Sequence, residues 1–524
     1  MNATMTAVLT AVIVAFGVPA AGVARAPAEI RLHPDVPVTA VDIRLPASQN
    51  SPALAADPTD PSFVVLANRI DAPDYSCALQ LSHDGGMTWL PARPVPVLPA
   101  GAEKCYAPEV AFDDAGVLHY LFVGLHGRGN VPMGAFLVTS RNGGVRFSEP
   151  REVLGPFSFA VRMAIDRSLG KHGRLHLVWL AASGPPPTGG LPSGDNPILT
   201  AFSDDGGRTL SKPQRLSDPS RPRAVAPAIA IGPDHAVHVA YYDLVDDAVD
   251  YQGLEGPTWG GTWSLVVSTS RDGGVSFDPG TVVDAEITPP ERVILIFTMP
   301  PPALAAGPAG DVYVAWTDGR NGDWDVLLRR SADGSRWSDL VRVNDDLQGN
   351  GRHQYLPRLA VAPGGRLDVV FHDRRTDPEN LRYDAYFTTS DDAGRTFSAN
   401  VRLSAESSDS RTGARYLVPS AKDLVDVGSR VGLIASDDRT VAAWADTRNT
   451  FGPPDLVAGP VGQDIYAATV TFGSAPVSPS AGAANRERGG NALAPLVGVG
   501  AAIVAVALVS LAWRRRAHAR RPTG

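Results

Sequence analysis

Ser82-His83-Asp84-Gly85-Gly86-Met87-Thr88-Trp89 is the first of six related turns in a chain of 524 residues. The others run from Ser140 to Phe147, Ser203 to Leu210, Ser270 to Phe277, Ser331 to Trp337 and Ser390 to Phe397, with Asn142 in the aspartate place of the second and one residue fewer in the fifth. A short aspartate folds its carboxylate onto nearby backbone N–H groups, glycine takes the positive-φ position, and the aromatic residue anchors the outgoing strand, so each copy reads as a hairpin turn. From Asp84 through Asn142, Asp205, Asp272 and Asp333 to Asp392 the steps are 58, 63, 67, 61 and 59 residues. That period is expected of a propeller blade with long loops.

Each unit opens with an apolar strand, usually after a proline, and continues with a second strand rich in Val, Trp or Tyr. Pro52 to Ala56 followed by Phe63 to Leu66 is one example, and Pro302 to Ala306 followed by Val312 to Trp316 another. Further openings at Pro108, Val161, Pro227, Pro357 and Val431 make seven units. The seventh, roughly 419–472, has strands at Gly432 to Ala435, Thr440 to Trp444 and Asp464 to Thr471, but neither the turn motif nor a fourth strand. An unattached strand-like segment, Val38 to Leu45, lies upstream of the first unit, and pairing the two closes the ring and removes both exposed edges. The expected fold class is therefore all-β, a seven-bladed β-propeller over 49–472 preceded by a lead segment, 27–48, that carries the closing strand.

The two ends predict placement. Residues 5–21 are apolar and Ala24-Arg25-Ala26 has the small-x-small form of a signal-peptidase site, so 1–26 reads as a signal peptide. Residues 493–513 carry no charge over 21 positions, enough for a transmembrane helix across a ~30 Å hydrocarbon core. Arg514, Arg515, Arg516, Arg520 and Arg521 follow, which by the positive-inside rule holds a tail of 514–524 in the cytoplasm and the propeller outside. Between them, 473–492 is Ser, Pro, Gly and Ala with a few charges, a flexible stalk.

A net charge of −8 argues against nucleic acid as a partner, while 44% apolar and 19% charged residues suit a globular core. Only two cysteines occur, Cys77 before the first turn and Cys105 before the second unit. If they bridge, the closed loop is worth roughly 3 kcal/mol; two buried thiols are the alternative.

The Ser-x-Asp-x-Gly-x-Thr-aromatic motif resembles the Asp-box, or bacterial neuraminidase repeat, of the sialidase-like propellers, across most of 49–472. Sialidases resemble a shorter version with six blades and five or fewer boxes, so a six-bladed ring is the alternative fold. The resemblance implies exo-α-sialidase-type hydrolysis of extracellular glycans. It further implies an arginine clamp for the substrate carboxylate, an aspartate acid/base, and a tyrosine nucleophile paired with a glutamate. Where the family opens its clamp this chain reads Gln49-Asn50-Ser51-Pro52, so the first arginine is absent, and Ala226-Pro227 stands where the nucleophile's glutamate is expected.

Arg69-Ile70-Asp71-Ala72-Pro73 resembles the loop of the acid/base, with Asp71 in its place and Arg69 beside it. Tyr355, ahead of Pro357, is a nucleophile candidate, and Tyr106 and Tyr416 occupy similar positions. A second repeat is Trp316-Thr317-Asp318-Gly319-Arg320, Phe371-His372-Asp373-Arg374-Arg375 and Trp444-Ala445-Asp446-Thr447-Arg448, each followed by a further aspartate, Asp325, Asp384 or Asp464. Arg320, Arg375 and Arg448 either fork onto those carboxylates and tie the hairpin top, or converge on an acidic ligand. The acidic loop 243–250 lacks a calcium-loop pattern, and no nucleotide loop or zinc spacing stands out, so neither metal nor cofactor is expected. Two readings of function stay open. One is a surface-tethered sialidase-like enzyme with an incomplete catalytic set; the other is a non-catalytic propeller that binds an extracellular glycan or a surface protein.

Overall fold

Seven antiparallel sheets are arranged so that the inner strand of each touches the inner strands of its two neighbours. The structure is a computed structural model and describes residues 30–473 apart from 40–47, 72–73, 95–97, 128–129, 170–172, 183–194, 248–259, 290–299, 413, 416–424 and 450–462. The inner strands of blades 1 to 7 are Gln49–Asp57, Lys104–Phe112, Ser158–Asp166, Ala224–Ile231, Ala303–Ala306, Gln354–Val361 and Gly432–Ala435. Gly432–Ala435 contacts Gln49–Asp57, so the ring is complete at seven and the six-bladed alternative is set aside.

Blade faces stack on one another, which is why second strands such as Leu118–His126 and Val312–Asp318 are apolar on both sides rather than alternating. Trp316, Trp444, Tyr120, Phe122 and Phe371 are fully buried between blades. The turns are wedges in the same seams. In the first, Ser82 Oγ donates to Asp84 at 2.8 Å and accepts from Gly86 N–H at 2.9 Å, while Asp84 accepts the Thr88 N–H at 2.9 Å. The pattern recurs at Asp205, Asp272 and Asp392, and Asn142 reproduces it with its amide oxygen. Gly207 shows why glycine is needed: at φ +81° a Cβ would come within 2.4 Å of Leu137 in the preceding blade.

Closure is made by the N-terminal lead, but earlier than 38–45. Ile30–Leu32 pairs with Val470 to Phe472, and Val36–Pro37 pairs with Tyr466 and Ala467, adding the fourth strand to blade 7. Of the described part of the expected strand, Val38 donates its N–H to Ile465 O at 2.8 Å and Thr39 Oγ1 accepts the Ile465 N–H at 2.8 Å; positions 40–45 lie outside the described residues. The offset has a physical source. Asp35 and Thr39 meet polar partners in blades 6 and 7, so the lead needs polar residues among its apolar ones and does not read as a continuous strand. Cys77 and Cys105 are joined, with their Cα atoms 5.6 Å apart, tying the third strand of blade 1 to the inner strand of blade 2.

No helix among the described residues is long and apolar enough to cross a membrane, and the segments 1–26 and 474–524 lie outside them.

Two outcomes are expected. Deleting residues 30–37 opens the edge of blade 7 and shifts the protein into aggregates on size exclusion; a deletion protein with the parent's elution and melting contradicts the closure. Burial at the turns opposes ionisation of Asp205, Asp272 and Asp392, yet hydrogen bonds from their own turns outweigh it and bring them from an ordinary 3.8 to about 2. A depressed folded-state value gives stability that is complete above about 4 and is lost as pH falls toward about 2. Denaturant midpoints measured from pH 5 to pH 2 should fall through that window, and a flat profile contradicts the assignment.

Candidate functional site

Five inner strands carry the same irregularity near the start. Ser51, Ala107, Ala160, Ala226 and Leu356 have φ of 53°, 48°, 49°, 52° and 59°, and the strand register shifts at each. Four of them precede proline, Pro52, Pro108, Pro227 and Pro357. Left-handed backbone in a residue with a side chain costs on the order of 1 kcal/mol, and a following proline disfavours helical backbone further. A bulge of this kind re-aims the residues after it. Two positions on stand Ala53, Glu109, Arg162, Ala228 and Arg358.

Glu109, Arg162 and Arg358 meet at the ring axis with Arg430, which precedes the inner strand of blade 7. Only at the axis can side chains of blades 2, 3, 6 and 7 come together. Arg162 Nη1 donates to Glu109 Oε1 at 2.8 Å. Arg430 donates to the same oxygen, to Pro108 O, and through Nε to Ser51 O at 3.1 Å, so it also joins blades 7, 1 and 2. Arg358 makes no hydrogen bond to any described residue; it feels Glu109 and Arg162 through space.

Three guanidinium groups thus share one carboxylate. Burial pushes the Glu109 carboxyl up, but Arg430 and Arg162 more than reverse it and hold the group below its usual value. Burial lowers Arg430 to about 10, and repulsion from Arg162, Arg358 and Arg69 adds to the shift. Arg358 is lowered too, by burial, which Glu109 opposes through space and Arg162 reinforces. The cluster keeps a formal excess of two positive charges, and of its guanidinium groups Arg358 is the one with no hydrogen-bonded acceptor among the described residues.

Asp71 and Arg69 lie together at the end of the second strand of blade 1. Arg69 bridges Asp71 through Nε at 2.6 Å and Nη2 at 2.7 Å, and donates Nη1 to the Tyr106 hydroxyl at 2.8 Å. Asn50 donates to the same carboxylate at 2.8 Å. Asp71 therefore accepts hydrogen bonds on Oδ2 and is ion-paired to Arg69 at Oδ1. Tyr355 lies in blade 6, where Arg374 Nη2 reaches its hydroxyl at 3.4 Å. Tyr416 lies outside the described residues.

Arg320, Arg375 and Arg448 do not converge. Each forks onto the aspartate two residues before it, Asp318, Asp373 or Asp446, and reaches a second carboxylate, Asp284, Asp345 or Asp35 respectively. The second partners differ from the expected Asp325, Asp384 and Asp464, which lie directly opposite the first aspartates across the strand pair. Those facing carboxylates take other donors: Arg342 and Asn344 for Asp325, Arg402 for Asp384, Thr39 and Asn449 for Asp464. The motif's aromatic residue explains part of the geometry, since the Trp316 and Trp444 indoles donate to Asp318 and Asp446 at 2.8 and 3.0 Å. In the acidic loop, Asp247 accepts the Trp263 indole at 2.8 Å, and no group of acidic, His or Cys side chains among the described residues forms a metal site.

The axial group escaped the sequence reading although a signal was present. In an apolar inner strand, a charged residue directly after the opening position at Pro108, Val161 and Pro357, and directly before Val431, has no reason to be there unless it faces the axis.

Neither a protein-family model nor a curated protein matches the chain. Among solved structures it is similar to a Dyadobacter fermentans protein of unknown function, at 13% identity and TM-score 0.44, over 84% of this chain and 99% of that one. It is also similar to a Hadza microbial sialidase, at 14% and 0.38 over 81% and 65%, and to a polysaccharide lyase, an ulvan lyase, at 11% and 0.46 over 78% and 93%. At that distance the chemistry rests on this chain's own side chains.

Replacing the shared counter-ion should expose the excess charge. Glu109→Gln is expected to lower stability by about 3 kcal/mol, the scale for leaving buried charges unpaired. Added sulfate should restore the melting temperature of the variant more than it raises that of the parent. Equal responses of the two proteins contradict a positive axis.

Proposed function

We propose that the propeller recognises carboxylated glycans outside the cell, with the axial arginines as the carboxylate site and without sialidase-type turnover. The observation that carries this reading is Arg358, a half-buried guanidinium at the axis with no hydrogen-bond partner among the described residues, in a cluster with more positive than negative charge. A sugar carboxylate supplies the acceptor oxygens and the charge that Arg358 lacks. The three-arginine clamp implied by the sialidase resemblance is met in kind by Arg162, Arg358 and Arg430, from positions other than the family's opening motif.

Hydrolysis needs a proton donor and a nucleophile on opposite sides of the anomeric carbon. Asp71 is bridged by Arg69 and Asn50 rather than poised to donate, and the phenol of Tyr355 is paired with an arginine rather than a glutamate. That arrangement favours binding over catalysis. The signal peptide, stalk, membrane helix and arginine tail read from the sequence put such a receptor on the cell surface, where protease added to intact cells should release it by cutting within 473–492; a tag after Gly524 that is accessible without permeabilisation contradicts this placement.

Calorimetric titration of the ectodomain with N-acetylneuraminate and glucuronate tests the site. Arg358→Ala, which removes no hydrogen bond of the fold, should weaken binding at least tenfold, about 1.4 kcal/mol. Unaltered affinity rejects the axial site. Efficient turnover of a sialoside that is lost in folded Asp71→Asn establishes the enzyme reading instead, and failure of every glycan to bind transfers the proposal to a protein partner.

A further inference from the structure

Three residues before Arg358 on the same inner strand, Tyr355 belongs to an aromatic wall between blades 5 and 6. Trp324 stacks on His353 with ring centroids 4.3 Å apart and planes at 14°, and its backbone N–H donates to His353 Nδ1 at 3.2 Å. Tyr355 stands edge-on to Trp324 at 5.9 Å and, on its other side, to His372 at 5.3 Å. His372 packs on Tyr383 at 4.5 Å, and the Tyr383 hydroxyl donates to Ala445 O of blade 7 at 2.9 Å. The wall is thus braced from behind, so its rings are fixed before any ligand arrives.

Arg374 completes it. The guanidinium lies 5.0 Å from the Tyr355 ring centre, donates Nη1 to Asn380 O at 2.5 Å and makes only the long contact to the Tyr355 hydroxyl through Nη2. Among the described residues it has no carboxylate partner, in contrast to Arg375 beside it. The fold does not ask for an arginine there, because the matching positions of the repeated motif hold Gly319 in blade 5 and Thr447 in blade 7. Burial, with Arg374 adding to it, lowers His353 to about 4, so the imidazole is neutral near pH 7 and Arg374 supplies the positive charge of the wall. Trp324, His353, Tyr355 and Arg374 are all half-buried rather than sealed in the core.

A half-buried aromatic stack beside a cation that itself lies over the Tyr355 ring fits a pyranose that carries an acidic group, because the sugar's C–H face packs on the Trp324–His353 stack while the charge finds Arg374. We infer that Trp324, His353, Tyr355 and Arg374 form a second subsite, for a further carboxylated pyranose of the same glycan whose other acid group lies at the axial arginines. The inference rests on the proposed carboxylate site at the axis. The bulge at Leu356 sets three residues against two on the partner strand, so Tyr355 stands about two strand steps, roughly 7 Å, from Arg358. Arg358 and Arg374 each lack a carboxylate hydrogen bond among the described residues, and a sugar with one carboxylate cannot serve both, so the chain reads an acidic oligosaccharide rather than a single acidic sugar.

The test compares monosaccharides with oligomers: N-acetylneuraminate against an α2,8-linked sialic acid hexamer, and glucuronate against a hyaluronan hexasaccharide. At least one hexamer is expected to bind tenfold or more tightly than its monosaccharide. Trp324→Ala and Arg374→Ala should each remove that gain while leaving the monosaccharide within twofold, Trp324→Phe should keep most of it, and Arg358→Ala should weaken both. If Trp324→Ala fails to fold, Arg374→Ala and Trp324→Phe carry the comparison. Hexamers that bind no better than monosaccharides, or a gain that persists in folded Trp324→Ala and Arg374→Ala, overturn the second subsite; the axial site stands in that case if Arg358→Ala still weakens binding. Loss of hexamer binding in Trp324→Ala with no effect of Arg358→Ala rejects the axial site and keeps the aromatic one, and the absence of binding by all four probes rejects both.

Discussion

One antiparallel pairing between the two ends of the folded chain holds the rest in place. Ile30–Leu32 and Val36–Pro37 lie along Asp464–Phe472, and without them blade 7 ends in an open edge. Side chains of the lead reinforce the seam. Asp35 receives Arg448 at 2.6 Å and the Ala405 N–H at 3.1 Å, and Thr39 accepts the Ile465 N–H at 2.8 Å. The axis depends on that seam. Arg430, at the start of blade 7, reaches a carbonyl of blade 1 and both a carbonyl and a carboxylate of blade 2, and these groups meet only when the circle is closed.

Local features were legible in the sequence and ring-wide ones were not. The six turns, their near-regular spacing and the seven openings each depend on residues close together in the chain, so turn chemistry and apolar runs suffice to place blades. The described closing pairs lie at 30–32 and 36–37, ahead of the strand-like segment at 38–45, because Asp35 between them meets partners hundreds of positions away that no local pattern announces. The aromatic-x-Asp-x-Arg motif shows the same division. Its own fork, Arg320 to Asp318, is a two-residue relation and readable; the second carboxylate, Asp284, comes from the outer strand of the previous blade and is not.

The same limit applies to the site. Arg69 with Asp71 could be paired from their spacing, and they do meet. Glu109 with Arg430 could not, at a separation of 321 residues. Family resemblance pointed to an arginine clamp and sought it at the family's own positions, whereas the bulged inner strands define a different set of axial positions. The positive-φ residues before proline are the local mark of those positions, and they become meaningful only once seven strands are known to share an axis.

The axial arginines differ in what they do for the empty protein. Arg430 binds two backbone carbonyls and a carboxylate, so its burial is offset by contacts that also join three blades. Arg162 neutralises Glu109. Arg358 makes no hydrogen bond within the described residues; burial disfavours its charge, Glu109 favours it through space, and Arg162 repels it. A residue of that kind lowers stability, because through-space attraction to Glu109 only partly offsets the desolvation of its charge. Violations of local consistency of this sort are expected where a fold carries a function, and here the violation has a definite sign. The anion proposed at the axis would supply the contact that Arg358 lacks, and the bulged strand that carries Arg358 also carries Tyr355, over whose ring Arg374 lies.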